Sequence, residues 1–375
     1  MNASTGTTPR SSAKTRDGER PLAFALGGLA GNNAFGAGFL EAARVQGLTP
    51  SMISCTSGQI AWVYKYLKCQ REGVSLRDLL DREIAKVETT GNINVDMASV
   101  ALLGRPGVFR PAYLEYAIDL LGNSIQAWQH VLAGGGRTLL LQEALQTLPG
   151  RVLVPLFPDA FFKEISDAFN SSSIGIAFNS YNPLEGFEYV HLNPAARDLL
   201  TRKSQRKNAY DKGQPSRHRE RTTYDDITPE AVRDGLWIYQ YGFDQKQGCF
   251  LDGAYYRQIM LAELVYATDI FVARPINYRW IGPLPTSQIG IEDLKTEVSF
   301  NGTYAGERHQ IYLINTLVER GDLSPEKYHH ITLHEIEIAQ QRGFLDYIFE
   351  KVEVFEEAFN ASKATLEAYV RAQVG

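Results

Sequence analysis

The sequence predicts an α/β fold, and three observations predict it. The apolar run Leu22 to Leu26 ends in Gly27-Gly28 and leads into a stretch with helical spacing, as a buried parallel strand feeding a helix would. The same strand, turn and helix order repeats at once from Ser51. Further strand-like segments then alternate with helical ones along the chain, and such alternation implies a sheet covered by helices.

Taken in order, order begins at Pro21 and the first strand occupies Leu22 to Leu26. From Ala34 to about Gln46, Phe35, Phe39, Leu40 and Ala43 recur at helical spacing, and Gly47 closes the helix. Ser51 to Ser54 is a second short strand, and Ser57-Gly58 opens a helix over Gln59 to Lys68. Residues 75 to 165 read as mostly helical, most clearly at Leu76 to Val87, Pro111 to Leu121 and Thr138 to Leu148. The triple glycine Gly134 to Gly136 follows a helical stretch, so it reads as a helix stop and not as a phosphate cradle. Ser173 to Phe178 and Glu188 to Leu192 form a hairpin whose turn is Asn179 to Pro183. Ile227 to Trp237 is helical, Cys249 to Leu251 a short strand, Tyr255 to Tyr266 helical and Asp269 to Ala273 a strand. Beyond about residue 286 the chain turns mainly helical, ending with Phe344, Ile348, Val352, Phe355 and Phe359 on one face.

Composition narrows the function classes. A chain of 375 residues with 44% hydrophobic content can bury a sizeable core. The net charge of −5 argues against a general nucleic-acid binder, which needs a broad basic excess. Three scattered cysteines, Cys55, Cys69 and Cys249, indicate neither a disulfide framework nor a zinc site, and suit a cytoplasmic location. The first twenty residues carry no apolar signal core and read as a disordered leader. No run approaches the roughly 20 apolar residues that span a bilayer.

Chemistry points to two places. Ser57 lies on a strand-to-helix turn, where the helix N-terminus supplies N–H groups and a positive dipole end to a weak nucleophile. Far downstream, Leu251-Asp252-Gly253-Ala254 places a carboxylate at the end of another strand. The stretch Leu22 to Leu67 resembles the opening of a patatin-like phospholipase, which has a strand, a G-G-G-x-R/K-G loop, a helix, a second strand and a G-x-S-x-G serine. Here the loop is Gly27-Gly28-Leu29-Ala30-Gly31-Asn32-Asn33, with Asn32 where the family has Arg or Lys and Asn33 in place of a glycine. The elbow is Cys55-Thr56-Ser57-Gly58-Gln59, so both of its outer glycines are replaced. Asp252 matches the family's D-G-G/A aspartate, and residues 228–236, 267–273 and 297–303 resemble the segments around it.

The resemblance implies a three-layer α/β/α patatin-like domain over residues 21–285, after a leader at 1–20, with a helical C-terminal extension at 286–375 packed on it. It implies a Ser57 and Asp252 dyad without histidine, metal or cofactor. Ser57 would attack an acyl ester and Asp252 would take its proton and later activate water. Backbone N–H groups of Gly28, Leu29, Ala30, Gly31 and Gly58 would hold the oxyanion, a contribution of about 3 kcal/mol per donor. The substrate implied is a phospholipid or lysophospholipid met at a membrane surface, which would place a cytoplasmic enzyme at the membrane periphery; no protein partner is implied.

Plainer readings stand beside these. Ser57 could be a helix N-cap, Asp252 a turn aspartate and the glycine loop a tight turn without ligand. A catalytically impaired relative that binds lipid or protein, or an acyl transferase, would carry the same motifs. A dinucleotide fingerprint is absent. His330 and His334 with Glu335 have metal-like spacing, but the segment alternates like a strand, so no helical ligand pair is expected. Cys55 at the elbow reads as a small packing residue and not as the nucleophile. Arg202 to Arg221 carries eight Lys or Arg against Asp211 and Glu220, and reads as an exposed, mobile loop available to anionic headgroups.

Overall fold

The computed structural model describes residues 21–29, 33–85, 102–104, 108–132, 147–203, 208–216, 219–243, 249–324, 328–336, 340, 342 and 352–374. The expectations for the leader, for Gly134 to Gly136, for Phe344 and Ile348, and for all but the last two residues of the helix from Thr138 lie outside them. The strands in chain order are β1 Leu22–Leu26, β2 Met52–Cys55, β3 Phe109–Pro111, β4 Leu153–Pro155, β5 Gly175–Asn182, β6 Phe187–Leu192, β7 Thr222–Asp226, β8 Leu251–Asp252, β9 Asp269–Ala273 and β10 Thr332–Ile336. The helices are α1 Phe35–Val45, α2 Gln59–Glu72, α3 Leu76–Ala85, α4 Tyr113–Leu132, α5 Asp159–Asn170, α6 Pro194–Lys203, α7 Pro229–Gly235, α8 Gln288–Glu319 and α9 Val352–Val374.

The fold is mixed α/β around one main sheet in the order β10-β9-β1-β2-β5-β6-β7. From β10 to β5 every neighbouring pair is parallel. β5 and β6 form an antiparallel hairpin, and β7 adds parallel to β6. β3 and β4 make a separate small ribbon.

Alternation along the buried strands sorts side chains to two faces. On one face Phe24, Leu26, Ile53, Cys55, Ile176, Phe178 and Phe271 pack against α1, α2, α5 and α9. On the other, Ala23, Ala25, Met52, Ala177, Val190 and Val272 pack against α6, the segment after β8, and α8. These are the two outer layers of an α/β/α arrangement.

β8 sets the site. β2 pairs with β5 at Gly175 to Phe178, and β6 occupies the other side of β5 from Ala177 onward. β8 pairs with β5 at Ser180 and Tyr181, antiparallel, in the lane that β2 has just vacated. The end of β2 and the end of β8 therefore meet head on, which brings Asp252 to the turn carrying Ser57.

Several sequence expectations change in detail. The hairpin turn falls at Pro183 to Gly186, since β5 continues through Asn182, whose Oδ1 accepts from the amides of Leu184 and Glu185 at 3.1 and 3.3 Å. The helix expected at Pro111 to Leu121 begins at Tyr113 and runs on to Leu132. Tyr255 to Tyr266 is not a helix but two single 3-10 turns, Gly253–Tyr255 and Ala262–Leu264. Tertiary bonds take its backbone groups instead. Thr56 and Ser54 hydroxyls donate to the carbonyls of Gln258 and Met260, both at 2.7 Å, and Glu307 accepts from the amides of Leu261 and Ala262 at 2.8 and 3.1 Å.

The described part of the basic run is also not a free loop. Its backbone is bonded to β7, with Tyr224 N donating to Gln214 O at 2.9 Å and Ser216 N to Thr222 O at 2.7 Å, and Arg219 pairs with buried Glu307. The C-terminal part is helical as expected, yet it also contributes edge strand β10, and α9 lies so close on α1 that a Cβ at Gly38 would stand 2.3 Å from Phe355 O.

Candidate active site

Ser57 occupies the turn between β2 and α2 with φ of 54°, one of three non-glycine residues in the left-handed region among the described residues. Such a backbone is disfavoured for a side chain with a Cβ and persists only where the surroundings impose it. The imposing contact is Gly28. A Cβ there would stand 2.4 Å from Ser57 Cβ and 2.6 Å from Thr56 O, so only glycine lets the two turns approach.

A closed ring of hydrogen bonds ties those turns together. Gly28 N donates to Thr56 Oγ1 at 2.8 Å, Thr56 Oγ1 donates to Gln258 O at 2.7 Å, and Gln258 Nε2 donates to Gly28 O at 2.9 Å. All three residues are buried. The Gly28 amide is thus committed to the turn, whereas the resemblance had it facing an oxyanion. Gly58, at the start of α2, and Leu29 donate their amides to no described group. Ala30 and Gly31 lie outside the described residues.

Gln59, which replaces an elbow glycine, is fully buried, and its Nε2 donates to Asn33 O at 3.1 Å. Room for it comes from Gly36 in α1, where a Cβ would fall 1.9 Å from Gln59 Oε1. Asn33 Oδ1 in turn accepts from Phe35 N at 2.9 Å and starts α1. The two departures from the family pattern therefore contact each other and link the glycine loop to the helix after Ser57.

Asp252 is 2% exposed and lies close enough to Ser57 for its hydroxyl to favour the ionised carboxylate. Its Oδ1 accepts from Ala254 N at 2.9 Å. Burial raises its carboxyl to about 7, while the neighbouring Ser57 hydroxyl and the Ala254 amide pull the other way. Buried Tyr241 and half-buried Tyr255 stand near enough that its charge raises both phenols, after burial itself.

Asn179 of β5 holds the aspartate's strand in place, its Nδ2 donating to Gly253 O at 3.2 Å, to Arg257 O at 3.2 Å and to Glu188 Oε1 at 2.7 Å. Sequence reasoning missed Thr56, Asn179 and Gln258. Thr56 could have been found, since it shares the strand face of Ser54 and both offer hydroxyls where an all-buried strand would carry apolar side chains.

Cys55 is fully enclosed in the core, and burial pushes its thiol up, which keeps it neutral and unreactive. His334 stands on β10 and bonds to Asp269 Oδ1 at 2.9 Å, and His330 faces Glu319 at 3.3 Å. Among the described residues no group of three or more His, Cys, Asp or Glu side chains could hold a metal ion. No helix among them is long and apolar enough to cross a membrane. Compared with models of known families and with curated proteins, the chain matches none.

Proposed function

We propose that this protein is a serine acyl hydrolase of the patatin-like kind, acting on lipid esters met from the water side of a membrane. The observation that carries this reading is the pair itself: a serine held in a left-handed turn at a helix N-terminus, beside a buried carboxylate whose ordinary acidity is suppressed.

In this reading Ser57 Oγ attacks the ester carbonyl carbon as its proton passes to Asp252. The tetrahedral oxyanion collapses, the C–O bond to the alcohol breaks, and the alcohol leaves with the proton from Asp252. Water, deprotonated by Asp252, then attacks the acyl-serine, and Ser57 recovers its proton as the acid departs. In this reading the amides of Gly58 and Leu29, which donate to no described group, would receive the oxyanion, and that of Gly28, which donates to Thr56, would not.

The test is labelling with a fluorophosphonate, in which Ser57 Oγ bonds to phosphorus and fluoride leaves. Wild type should label, Ser57→Ala should not, and Asp252→Asn should label at least about 100-fold more slowly, as loss of a general base requires. Labelling that persists in Ser57→Ala, or absence of labelling in wild type, overturns the reading and leaves a lipid- or protein-binding role for the fold. Acylated product in the presence of added alcohols would redirect the same chemistry to acyl transfer.

A further inference from the structure

One helix among the described residues has its amphipathic order reversed. Along α4, Leu114, Ile118, Leu121, Ile125, Trp128 and Leu132 recur at alternating steps of four and three, which sets them in one stripe about 27 Å long at about 1.5 Å per residue. All six are 59 to 82% exposed. The polar side of the same helix is the side turned to the protein, with Glu115, Asp119 and Asn123 half-buried. Glu115 pairs with Arg110 of β3, Asp119 pairs with Arg151 at 2.9 Å, and Asn123 Nδ2 donates to Thr147 O at 3.2 Å. After Asp119 the helix carries no Asp, Glu, Lys or Arg. A helix that meets its own fold through charges and turns its leucines and isoleucines outward leaves a contiguous apolar patch open, and such a patch marks an interaction site.

The patch adjoins the proposed active site. Ala112 N, just before α4, donates to Val152 O at 3.0 Å, and Val152 N donates to Gln240 O at 2.9 Å, in the 3-10 turn Tyr239–Tyr241. Just before that turn, Trp237 O accepts from the Asp252 amide at 2.9 Å. Apolar side chains stay exposed along this path, at Val152, Tyr239 and Phe243, and beside the helix at Leu102, whose carbonyl accepts from the Tyr113 hydroxyl at 2.9 Å. The spacing of the stripe by itself would also suit a helix of a second copy. A paired helix covers only its own seam, however, and would leave the apolar path toward Asp252 in water. A lipid surface covers both.

We infer that α4 is the face by which this protein docks on a zwitterionic phospholipid surface, its stripe lying in the interface and Tyr239 and Phe243 meeting the same lipid. Charge decides the class of lipid. The stripe carries none, and both carboxylates behind it are held by arginines, so docking draws on apolar burial and needs no anionic headgroup. The purpose of this face rests on the lipid-ester reading above, since docking here sets the side of the molecule that leads to Asp252 against the surface holding the ester.

The experiment is flotation of the full chain with vesicles of pure phosphatidylcholine and of phosphatidylcholine mixed with phosphatidylglycerol. Wild type and Ser57→Ala should bind both alike. The double variant Ile118→Glu with Ile125→Glu, which keeps good helix formers at exposed positions, should bind at least tenfold more weakly with an unchanged urea transition and unchanged activity on a water-soluble ester. Brominated phosphatidylcholine should quench the tryptophan fluorescence of wild type, and Trp128→Phe should lose that quenching, a readout that stands even if the double variant fails to fold. Absence of binding to phosphatidylcholine, binding that requires phosphatidylglycerol, binding unchanged in the double variant, or quenching unchanged in Trp128→Phe overturns the inference. A lipid-free dimer that the double variant dissociates also overturns it and gives the stripe to a second copy. Fluorophosphonate labelling of Ser57 keeps the two questions apart: labelling without vesicle binding removes the docking face and leaves the hydrolase, and vesicle binding without labelling does the reverse.

Discussion

At the scale of the residue, the site turns on how an aspartate and a serine share a dry junction. Burial raises the Asp252 carboxyl to about 7, so an ionised base is half-populated near neutrality. If Asp252 is the base, kcat/KM for a soluble ester should rise tenfold per pH unit below about 7 and level off above it, and the profile of Asp252→Asn should lose that ionisation. A flat wild-type profile across this range would rule Asp252 out as the group that sets it. The same shift acts on stability in the opposite sense. An Asp that titrates near 3.8 when exposed binds more proton folded than unfolded between there and about 7, so stability falls as pH rises through that window. Asp252→Asn cannot ionise and should escape this fall. Urea midpoints compared from about pH 4 to about pH 8 should therefore show the variant gaining steadily on wild type.

At the scale of the element, the segment between β8 and β9 is held without regular structure by one buried charge cluster. Arg257, fully enclosed, bonds to Glu188 of β6 at 2.8 Å and to Glu263 at 2.9 and 3.0 Å, and reaches Glu307 of α8 at 3.5 Å. Thr222 of β7 donates to Glu188 at 2.9 Å, and Arg219 closes the outer side on Glu307. Three elements and the loop behind Asp252 thus share one set of partners. Removing one member leaves the others buried and uncompensated, a loss of about 3–5 kcal/mol. Glu307→Ala should lower the unfolding free energy measured in urea by that amount and slow any Ser57-dependent activity, whereas Glu185→Ala, at an exposed position in the hairpin turn, should change stability by about 0.5 kcal/mol or less. Equal midpoints for the two variants would mean that the cluster does not bear on stability.

At the scale of the whole molecule, the C-terminal part belongs to the same core as the first strand. β10 pairs with β9 from Thr332 to Ile336, and Val354, Phe355, Ala358 and Leu366 of α9 are buried with Phe24 and Phe39. Ending the chain after Glu319 would strip an edge from the sheet and uncover α1. Such a truncation should not fold independently; a soluble product with a cooperative urea transition would show that the residues up to Glu319 suffice.

How much of this was legible in the sequence follows from where each decision was made. Period and punctuation carried β1, α1, β2 and β9 to within a residue or two, because those elements are buried across a full face and their apolar spacing leaves no second solution. Ser57 and Asp252 were named from short motifs. What brings them together was not readable: it depends on β8 entering the lane that β2 vacates beside β5, a pairing between strands far apart in the chain. The segment after β8 departs from its helical pattern because Ser54 and Thr56, at the end of β2, and Glu307 of α8 bond its backbone from elsewhere in the chain. The space for Gln59, where the resemblance has a glycine, comes from Gly36 on another helix, which no local pattern shows. By itself the sequence determined the layers and the residues that could react, since periodicity and turn chemistry are local. Only the tertiary structure decided that the Gly28 amide serves the turn, that Asp252 is dry, and that α4 turns its apolar side outward, because each depends on neighbours that the chain brings from elsewhere.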